Sequence, residues 1–238
     1  MALGHFKKPS VIIVIGAILS ALTQCSQKEK IIGPSDDWDI AKNGIPKFVR
    51  VNYIELDSMA RISKFRSSVG HDYSDAFEQC RSLKHYFEPK ANVNWAAIRI
   101  FSPVTGTVTR VTQEWAGTRL EIVSKDYPAF RFVIFHINMP TIPNINDPVA
   151  AGQLLGTHIG SQTYSDIAVL VNEPTHQGML ISYFDLITDS LFSTYSLRGV
   201  TGREDLIIPK SNRDASPLMC SGDTFTSVDT LQSWFVLN

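Results

Sequence analysis

The chain has 238 residues, of which 44% are hydrophobic and 19% charged, and its formal net charge is −1. This composition is that of an ordinary globular protein and excludes a mainly disordered chain. A nearly neutral chain without a basic stripe interleaved with aromatic residues also argues against nucleic acid as a partner.

The first 24 residues are predicted to be a signal peptide. Lys7 and Lys8 precede the apolar run "VIIVIGAILSAL", which is short for a bilayer-spanning helix but typical of the central region of a signal peptide. Cys25 follows and resembles the lipid-modified cysteine of bacterial lipoproteins, although Gln24 is larger than the residue usual there. Cleavage by an ordinary signal peptidase, or an uncleaved anchor, are the alternatives. All three interpretations place the body of the protein outside the cytoplasm. The lipoprotein interpretation predicts a bacterial cell-envelope protein held at the membrane by lipid on Cys25.

Two further cysteines are predicted to form a disulfide. Cys80 and Cys220 remain if Cys25 carries lipid, and in an oxidising compartment two cysteines favour one bridge. That bridge would tie the C-terminal segment to the middle of the chain. Two buried free thiols are the alternative. The absence of a C-x-x-C spacing excludes a zinc site built from such cysteine pairs.

The mature chain is predicted to be mainly β. After a polar tether over 25–45, the segment "KFVRVNYIE" alternates as a strand does, and "SDAFEQCRSLKHYF" has apolar residues at helical spacing. A helical insertion near 74–88 is therefore expected within a β domain over 46–195. A helix is also expected in "DLITDSLFSTY", before a mixed, loop-rich C-terminal tail over 196–238 that packs on the domain. Short β-branched runs separated by Gly, Pro, Asn and Asp predict a compact antiparallel β-sandwich: "AAIRIFSP", "GTVTRVTQEW", "TRLEIVSKD", "FRFVIFHI", "DIAVLVN" and "GMLISYF".

The segment "GHDYSD" contains a candidate pair of metal ligands. His71 and Asp75 are four residues apart, and a neutral imidazole and a carboxylate are two ligands that zinc accepts. A third protein ligand would leave one coordination position for water. The spacing is also common by chance, so an ordinary loop histidine, or a His71–Asp75 pair without metal, is the alternative.

Three downstream segments extend this pattern. They are "SPVTGTV" (102–108), "FHI" (135–137) and "DPVAAGQLLG" (147–156). Together with "HDYSD" they resemble the lysostaphin-type zinc metallopeptidases, which cut the peptide cross-links of bacterial cell walls. The resemblance covers roughly residues 70–184, about half of the chain. It implies zinc as cofactor, His71 and Asp75 as two of its ligands, and His136 as a catalytic residue.

The remaining family histidines are missing. The resemblance implies a histidine–any–histidine strand after the third segment, where this chain has "TYSDIAVLV". Strand alternation leaves two registers. In the first, Tyr164 takes the catalytic position and Asp166 becomes the third ligand beside His71 and Asp75. In the second, Asp166 and Ala168 take the two positions, and the metal has only two protein ligands.

This incomplete set weakens the prediction of catalysis. An oxygen-rich site with one imidazole binds zinc less selectively and activates its water less. We therefore expect an exported, catalytically reduced relative that acts as a binding or regulatory module, with peptidoglycan or an envelope protein as partner. The alternative is an active endopeptidase with a rearranged His/Asp/Asp site, which His158 or His176 in the flanking loops could complete. A purely structural β domain is a third hypothesis.

Overall fold

The computed structural model describes Met1 and residues 36–238. The predicted signal peptide, apart from Met1, and Cys25 lie outside these residues. In the part that is described, no helix is long and apolar enough to cross a membrane.

Strands form where β-branched and aromatic residues alternate, because such side chains pack well on a pleated surface. Between residues 36 and 238, the helices are α1 Ile40–Asn43, α2 Tyr183–Leu186, α3 Asp189–Ser196 and α4 Lys210–Ala215. The strands are β1 Met59–Ser63, β2 His85–Pro89, β3 Arg99–Phe101, β4 Gly106–Glu114, β5 Gly117–Ser124, β6 Phe130–Asn138, β7 Pro148–Val149, β8 Leu154–His158, β9 Ser165–Glu173, β10 His176–Ile181, β11 Cys220–Ser221, β12 Thr224–Phe225 and β13 Trp234–Val236.

Eleven of these strands hydrogen-bond into one sheet, and the mainly β class is confirmed. Its main path runs β13-β1-β2-β9-β6-β5-β4-β7, with every pairing antiparallel. Strand β9 lies at the centre, since β6 pairs along one edge while β2 and β10 pair with different halves of the other. The last strand, β13, joins the outer edge of β1. The centre of the sheet is therefore built from segments far apart in sequence.

Both faces of the sheet carry buried apolar residues. Phe130, Phe132 and Ile134 of β6 belong to the larger cluster. Val133 and Phe135, which alternate with them and point the other way, belong to a smaller second cluster. That cluster also contains Phe65, Leu83, Ala168 and Leu180. The candidate site lies on this second face.

The predicted helical insertion near 74–88 is wrong. Residues 74–84 form bends and irregular backbone with an isolated bridge at Ser82, and β2 begins at His85. Two features oppose a helix here. Asp75 Oδ1 accepts hydrogen bonds from the backbone N–H groups of Phe77 and Glu78, both at 2.8 Å, which favours a turn. Cys80 has φ 53°, a left-handed conformation that an α-helix does not contain. The helical spacing of apolar residues there was coincidental.

The predicted strand over 47–55 is also wrong. That segment makes only isolated bridges, from Val49 to Ile187 and from Ile54 to Ile100. Val49, Tyr53 and Ile54 are buried in the larger cluster, but the segment forms no continuous strand. The helix expected in "DLITDSLFSTY" is confirmed as two short helices, α2 and α3, with Thr188 capping the second by accepting from the N–H of Leu191 at 3.3 Å.

The predicted disulfide is confirmed. Cys80 and Cys220 are bonded, with their Cα atoms 5.7 Å apart and a separation of 140 positions in sequence. The bridge fastens the end of the 70–80 loop to the C-terminal segment. A second link lies nearby, since the Asp72 N–H donates to the carbonyl of Asp223 at 2.6 Å.

Candidate functional site

A cleft of about 560 Å³ opens on the second face of the sheet. Its walls are the loop beginning at Gly70, the tip of the β4–β5 hairpin, and the loop over 161–164. A slightly larger depression of about 690 Å³ around Leu197 contains none of the predicted site residues. The cleft is unusually aromatic, being lined by Tyr73, Tyr86, Trp95, Trp115, Phe135 and Tyr164. Polar groups between these rings include His71, Lys84, Arg119, His136 and Gln162.

Lys84 lies at the floor of the cleft. Its Nζ is 2.5 Å from Asp166 Oδ2, and the two side chains are 1% and 0% exposed. The contact lacks the angular geometry of a hydrogen bond, so we describe it as an ion pair. The rings of Tyr73, Tyr86 and Phe135 also surround the ammonium, with centroids 4.7, 4.8 and 4.3 Å from Nζ. One carboxylate and three ring faces therefore enclose this cation.

The pairing of β2 with β9 brings the lysine and the carboxylate together. Tyr86 of β2 lies directly opposite Asp166 of β9. Residues opposite each other in an antiparallel pair share a face, and Lys84 shares that face with Tyr86 because it is two residues away. The sequence motifs do not point to Lys84. Its only local signal is alternation with Tyr86 in "KHYF".

His71 lies at the rim of the cleft and is exposed. Its Nδ1 is 2.9 Å from the carbonyl oxygen of Asp72, and its Nε2 is 3.4 Å from Lys84 Nζ. A carbonyl only accepts, so Nδ1 carries the proton and Nε2 presents its lone pair to the ammonium. Gly70 makes this turn feasible with φ 75°, and a Cβ there would lie 2.1 Å from Tyr86 Oη.

His136 reaches the same ion pair from β6. The β5–β6 register shifts between Thr118 and Leu120, and His136 has φ 60°, so a bulge turns its ring towards the cleft. Its Nδ1 donates to the carbonyl of Ala116 at 3.0 Å. Nε2 lies 3.2 Å from Asp166 Oδ1 without the alignment of a hydrogen bond.

Asp75 is engaged elsewhere. Besides the two turn contacts of its Oδ1, its Oδ2 accepts from the backbone N–H of Leu180 on β10 at 2.8 Å. The carboxylate thus fastens the 70–80 loop to the sheet, and Asp75 does not line the cleft. Of the predicted site residues, the structure places His71, His136 and Asp166 around the Lys84 ammonium or its carboxylate partner, and Tyr164 lines the same cleft. Asp75 is not brought to this group.

Zinc, which the family resemblance implies, does not fit these residues as they are arranged. The Lys84 ammonium occupies the space between His71 Nε2 and Asp166 Oδ2. Both oxygens of Asp75 are taken by backbone N–H groups. Within residues 36–238, no three or more His, Cys, Asp or Glu side chains are grouped so that they could hold a metal ion.

The two flanking histidines do not line the cleft either. His158 is fully buried at the end of β8, and burial, with nearby His136, lowers the pKa of its imidazole to about 4. Gly160 N–H donates to its Nδ1 at 3.1 Å. His176 lies in the β9–β10 hairpin, where its Nδ1 is 3.0 Å from Glu173 Oε2.

No family model matches the chain, and no curated protein matches it either. Solved structures are similar to it over part of its length. Helicobacter pylori Csd3 is 15% identical over 60% of this chain and 34% of that one, with a TM-score of 0.42. This chain thus spans about a third of the length of Csd3. A chain of the SpoIIQ–SpoIIIAH pore forming complex is 12% identical over 62% of this chain and 96% of that one, with a TM-score of 0.43.

The catalytic domain of the antimicrobial peptidase lysostaphin from Staphylococcus simulans is 16% identical. The match covers 52% of this chain and 90% of that one, with a TM-score of 0.34. The structures similar to this chain thus include a lysostaphin catalytic domain, the type of peptidase that its sequence motifs resemble.

Proposed function

We propose that this protein is a peptidase-like binding or regulatory module of the bacterial cell envelope that performs no metal-dependent hydrolysis. The buried Lys84 ammonium between His71 and Asp166 is the observation that carries this proposal. In a zinc peptidase the metal polarises the peptide carbonyl and activates a bound water. A fixed ammonium, already paired with a carboxylate and enclosed by three rings, offers no open coordination position for either task.

The proposed ligand is peptidoglycan. Trp95, Trp115 and Tyr164 line the cleft with aromatic rings, and Arg119 and Gln162 add hydrogen-bond donors to it. Peptidoglycan has sugar rings with apolar faces and short peptides with many polar groups, so it complements such a surface. An envelope protein with an exposed polar loop is the alternative partner.

Export follows from the same proposal. The disulfide between Cys80 and Cys220 is typical of proteins that mature in an oxidising compartment. We propose that the chain is exported and anchored by lipid on Cys25. Mass spectrometry of protein from the membrane fraction tests the anchor. We expect an N-terminal cysteine that carries lipid. A soluble product cleaved elsewhere would contradict the anchor and leave export intact.

Metal analysis and two functional assays test the main proposal on the purified mature protein. After exposure to zinc and gel filtration, we expect no stoichiometric metal and no release of peptides from cross-linked peptidoglycan. Sedimentation with purified peptidoglycan should show binding that a chelator does not change. One zinc ion per chain, with hydrolysis that the chelator abolishes, would instead establish the active endopeptidase. Metal-free protein that does not sediment with peptidoglycan would refute peptidoglycan as the ligand and leave an envelope protein as the partner.

A further inference from the structure

The aromatic lining of the cleft continues beyond its edge to the last strand of the sheet. Tyr164, which lines the cleft, has its ring centroid 6.2 Å from that of Trp95 and 5.5 Å from that of Trp234 on β13. Trp95 lines the cleft with Tyr164, whereas Trp234 lies outside it. Trp115 lines the cleft from the tip of the β4–β5 hairpin. We refer to these side chains together as the aromatic track.

The register of the sheet places Trp234 on the face that carries the cleft. Trp234 lies opposite Ser63 on β1. Strands β1 and β2 pair with Arg61 opposite Glu88, so Ser63 and Tyr86, two residues from Arg61 and Glu88 respectively, share their face. Tyr86 lines the cleft. Strand β13 is four strand spacings from β6, or roughly 19 Å, so the aromatic track is long enough for several linked units of an extended ligand.

The charges in the cleft are already paired. Its Lys, Arg, Asp and Glu residues, within the described part of the chain, are Lys84, Glu114 and Arg119. Lys84 is paired with Asp166, and Arg119 Nη1 lies 3.2 Å from Glu114 Oε1. A charged ligand group would therefore compete with an existing ion pair. Uncharged hydroxyl and amide groups can accept hydrogen bonds from the remaining Arg119 donors without breaking it.

The cation that stacks on Trp234 is also paired. Arg61 Cζ is 4.3 Å from the centroid of the Trp234 ring, and Arg61 Nη2 is 2.6 Å from Glu88 Oε2. This stacking holds the indole against the sheet. The aromatic track thus combines flat rings with paired charges from the cleft to the edge of the sheet.

The strands at the floor of the cleft are occupied on both edges. An extended peptide typically binds a sheet by hydrogen-bonding to the backbone of an exposed edge strand. Strands β2, β9 and β6 each have a neighbouring strand on both edges, so their backbone groups are hydrogen-bonded within the sheet. A ligand in the cleft therefore contacts side chains, and most of these are aromatic.

We propose that the aromatic track binds the glycan strand of peptidoglycan rather than its stem peptides. The glycan is an uncharged chain of sugar rings, whose C–H faces pack on aromatic rings and whose hydroxyl and acetamido groups form hydrogen bonds. The stem peptides carry free carboxylates, which the paired cations of the cleft do not neutralise. This inference rests on the proposed function, because it names the part of peptidoglycan that the cleft binds.

The test is a calorimetric titration of the purified mature protein with chitotetraose, a short chain of N-acetylglucosamine without peptide or charge. We expect saturable binding of chitotetraose and none of a synthetic stem peptide at the same concentrations. Trp234→Ala should weaken chitotetraose binding by about tenfold or more, and Trp234→Tyr, which keeps a flat ring, should retain most of the affinity. Trp38→Ala is the matched control and should leave the affinity unchanged, since Trp38 packs on Phe130 of the larger cluster, on the other face of the sheet.

The outcomes separate this inference from the proposed function. Protein that sediments with peptidoglycan but does not bind chitotetraose would overturn the inference and leave the binding module in place. Protein that does neither would refute both proposals. An unchanged affinity in Trp234→Ala, or an equal loss in Trp38→Ala, would also overturn the inference. If Trp234→Ala does not fold, Trp115→Ala decides, because the Trp115 side chain is 80% exposed. Undiminished chitotetraose binding by that variant would then overturn the inference.

Discussion

Lys84 Nζ and Asp166 Oδ2 lie 2.5 Å apart, and both side chains are almost completely buried. Taking two charges out of water is unfavourable, so each of these charges must be compensated by the other for the fold to be stable. Losing one partner leaves an uncompensated buried charge. Losing both leaves an apolar gap that hydrophobic side chains of similar size can fill.

A double-mutant cycle follows from this pair. We expect Lys84→Met and Asp166→Leu each to lower the free energy of unfolding by about 3–5 kcal/mol. The double variant should lose much less than the sum of the two, because no unpaired charge remains. Urea unfolding of the four proteins measures this coupling. Strictly additive losses would contradict the ion pair.

Two buried histidines predict acid sensitivity. Burial is the main reason that the pKa of His85 and that of His158 each fall to about 4, from an ordinary value of 6.5. Between these values the unfolded chain binds protons that the folded chain does not. The free energy of unfolding is therefore unaffected by these two histidines above pH 6.5. It declines as the pH falls from 6.5 towards 4, because the unfolded chain takes up the protons first. We expect a loss of up to about 3 kcal/mol for each histidine across this window.

Urea unfolding at several pH values measures this dependence. His85 donates Nδ1–H to the carbonyl of Ser63 at 2.8 Å, so His85→Gln keeps a donor while removing the titration. The variant should have a shallower decline in stability with acid. His176→Gln serves as control, since its side chain is 47% exposed. An unchanged slope in His85→Gln would show that its imidazole titrates normally in the folded protein.

The disulfide is expected to stabilise the fold strongly. Bridging residues 140 apart restricts the unfolded chain, and removing such a bridge typically lowers the free energy of unfolding by about 2–5 kcal/mol. The unfolding temperature should drop on addition of a reductant, and a Cys80→Ser, Cys220→Ser double variant should match the reduced protein. Alkylation without reductant should label neither cysteine. Rapid labelling of both would show that the bridge does not form.

Gly70 and Gly222 offer a test of packing against the site. Their φ angles are 75° and 61°, so alanine at either position keeps an unfavourable positive φ. A Cβ on Gly222 meets nothing within 4 Å, whereas one on Gly70 would overlap Tyr86 Oη. Gly222→Ala should therefore lower the free energy of unfolding by about 1 kcal/mol. Gly70→Ala should lower it clearly more, because the Tyr86 ring must also shift. Equal losses by thermal unfolding would show that Tyr86 shifts without cost.

Trp115 is expected to contribute binding energy and little stability. It is 80% exposed at the tip of the β4–β5 hairpin and lines the cleft, 6.4 Å from the His136 ring. Trp115→Ala should weaken peptidoglycan binding by about tenfold or more, as the loss of an aromatic anchor often does. Leu197→Ala is the control, since Leu197 is 83% exposed beside a different depression. Binding isotherms and unfolding temperatures of both variants test this, and unchanged affinity for Trp115→Ala would exclude the hairpin from the binding surface.

The sequence predicts most of the sheet but not the segment before it. The runs from Ala96 onward form strands because their β-branched residues and turn residues leave few alternatives. The segment around Cys80 misleads, since its apolar residues have helical spacing while its backbone is fixed by distant partners. Those partners are Cys220 and, through Asp75, the N–H of Leu180. Neither contact leaves a local signal.

The candidate site, like the sheet, can be predicted from the sequence only in part. His71, His136 and Asp166 can be picked out because short motifs fix their spacing relative to turns. Lys84 cannot, because its role arises only when β2 pairs with β9 and places Tyr86 opposite Asp166. From sequence alone, a lysine beside an aromatic-rich strand is predicted to be exposed at the edge of the sheet. The chemistry of the cleft thus depends on a contact across 82 residues of sequence.

The Cys80–Cys220 bond also closes most of the fold into a covalent ring. The ring contains β2 through β10, and with them the floor of the cleft and the hairpin that carries Trp115. Ile142 and Ile145, in the loop between β6 and β7, are exposed and lie within the ring. A protease that cuts this loop would leave two polypeptide segments joined by the disulfide rather than release a fragment. A nicked molecule would therefore keep the β4–β5 hairpin and the loop over 161–164, two walls of the cleft, covalently joined wherever reductants are scarce.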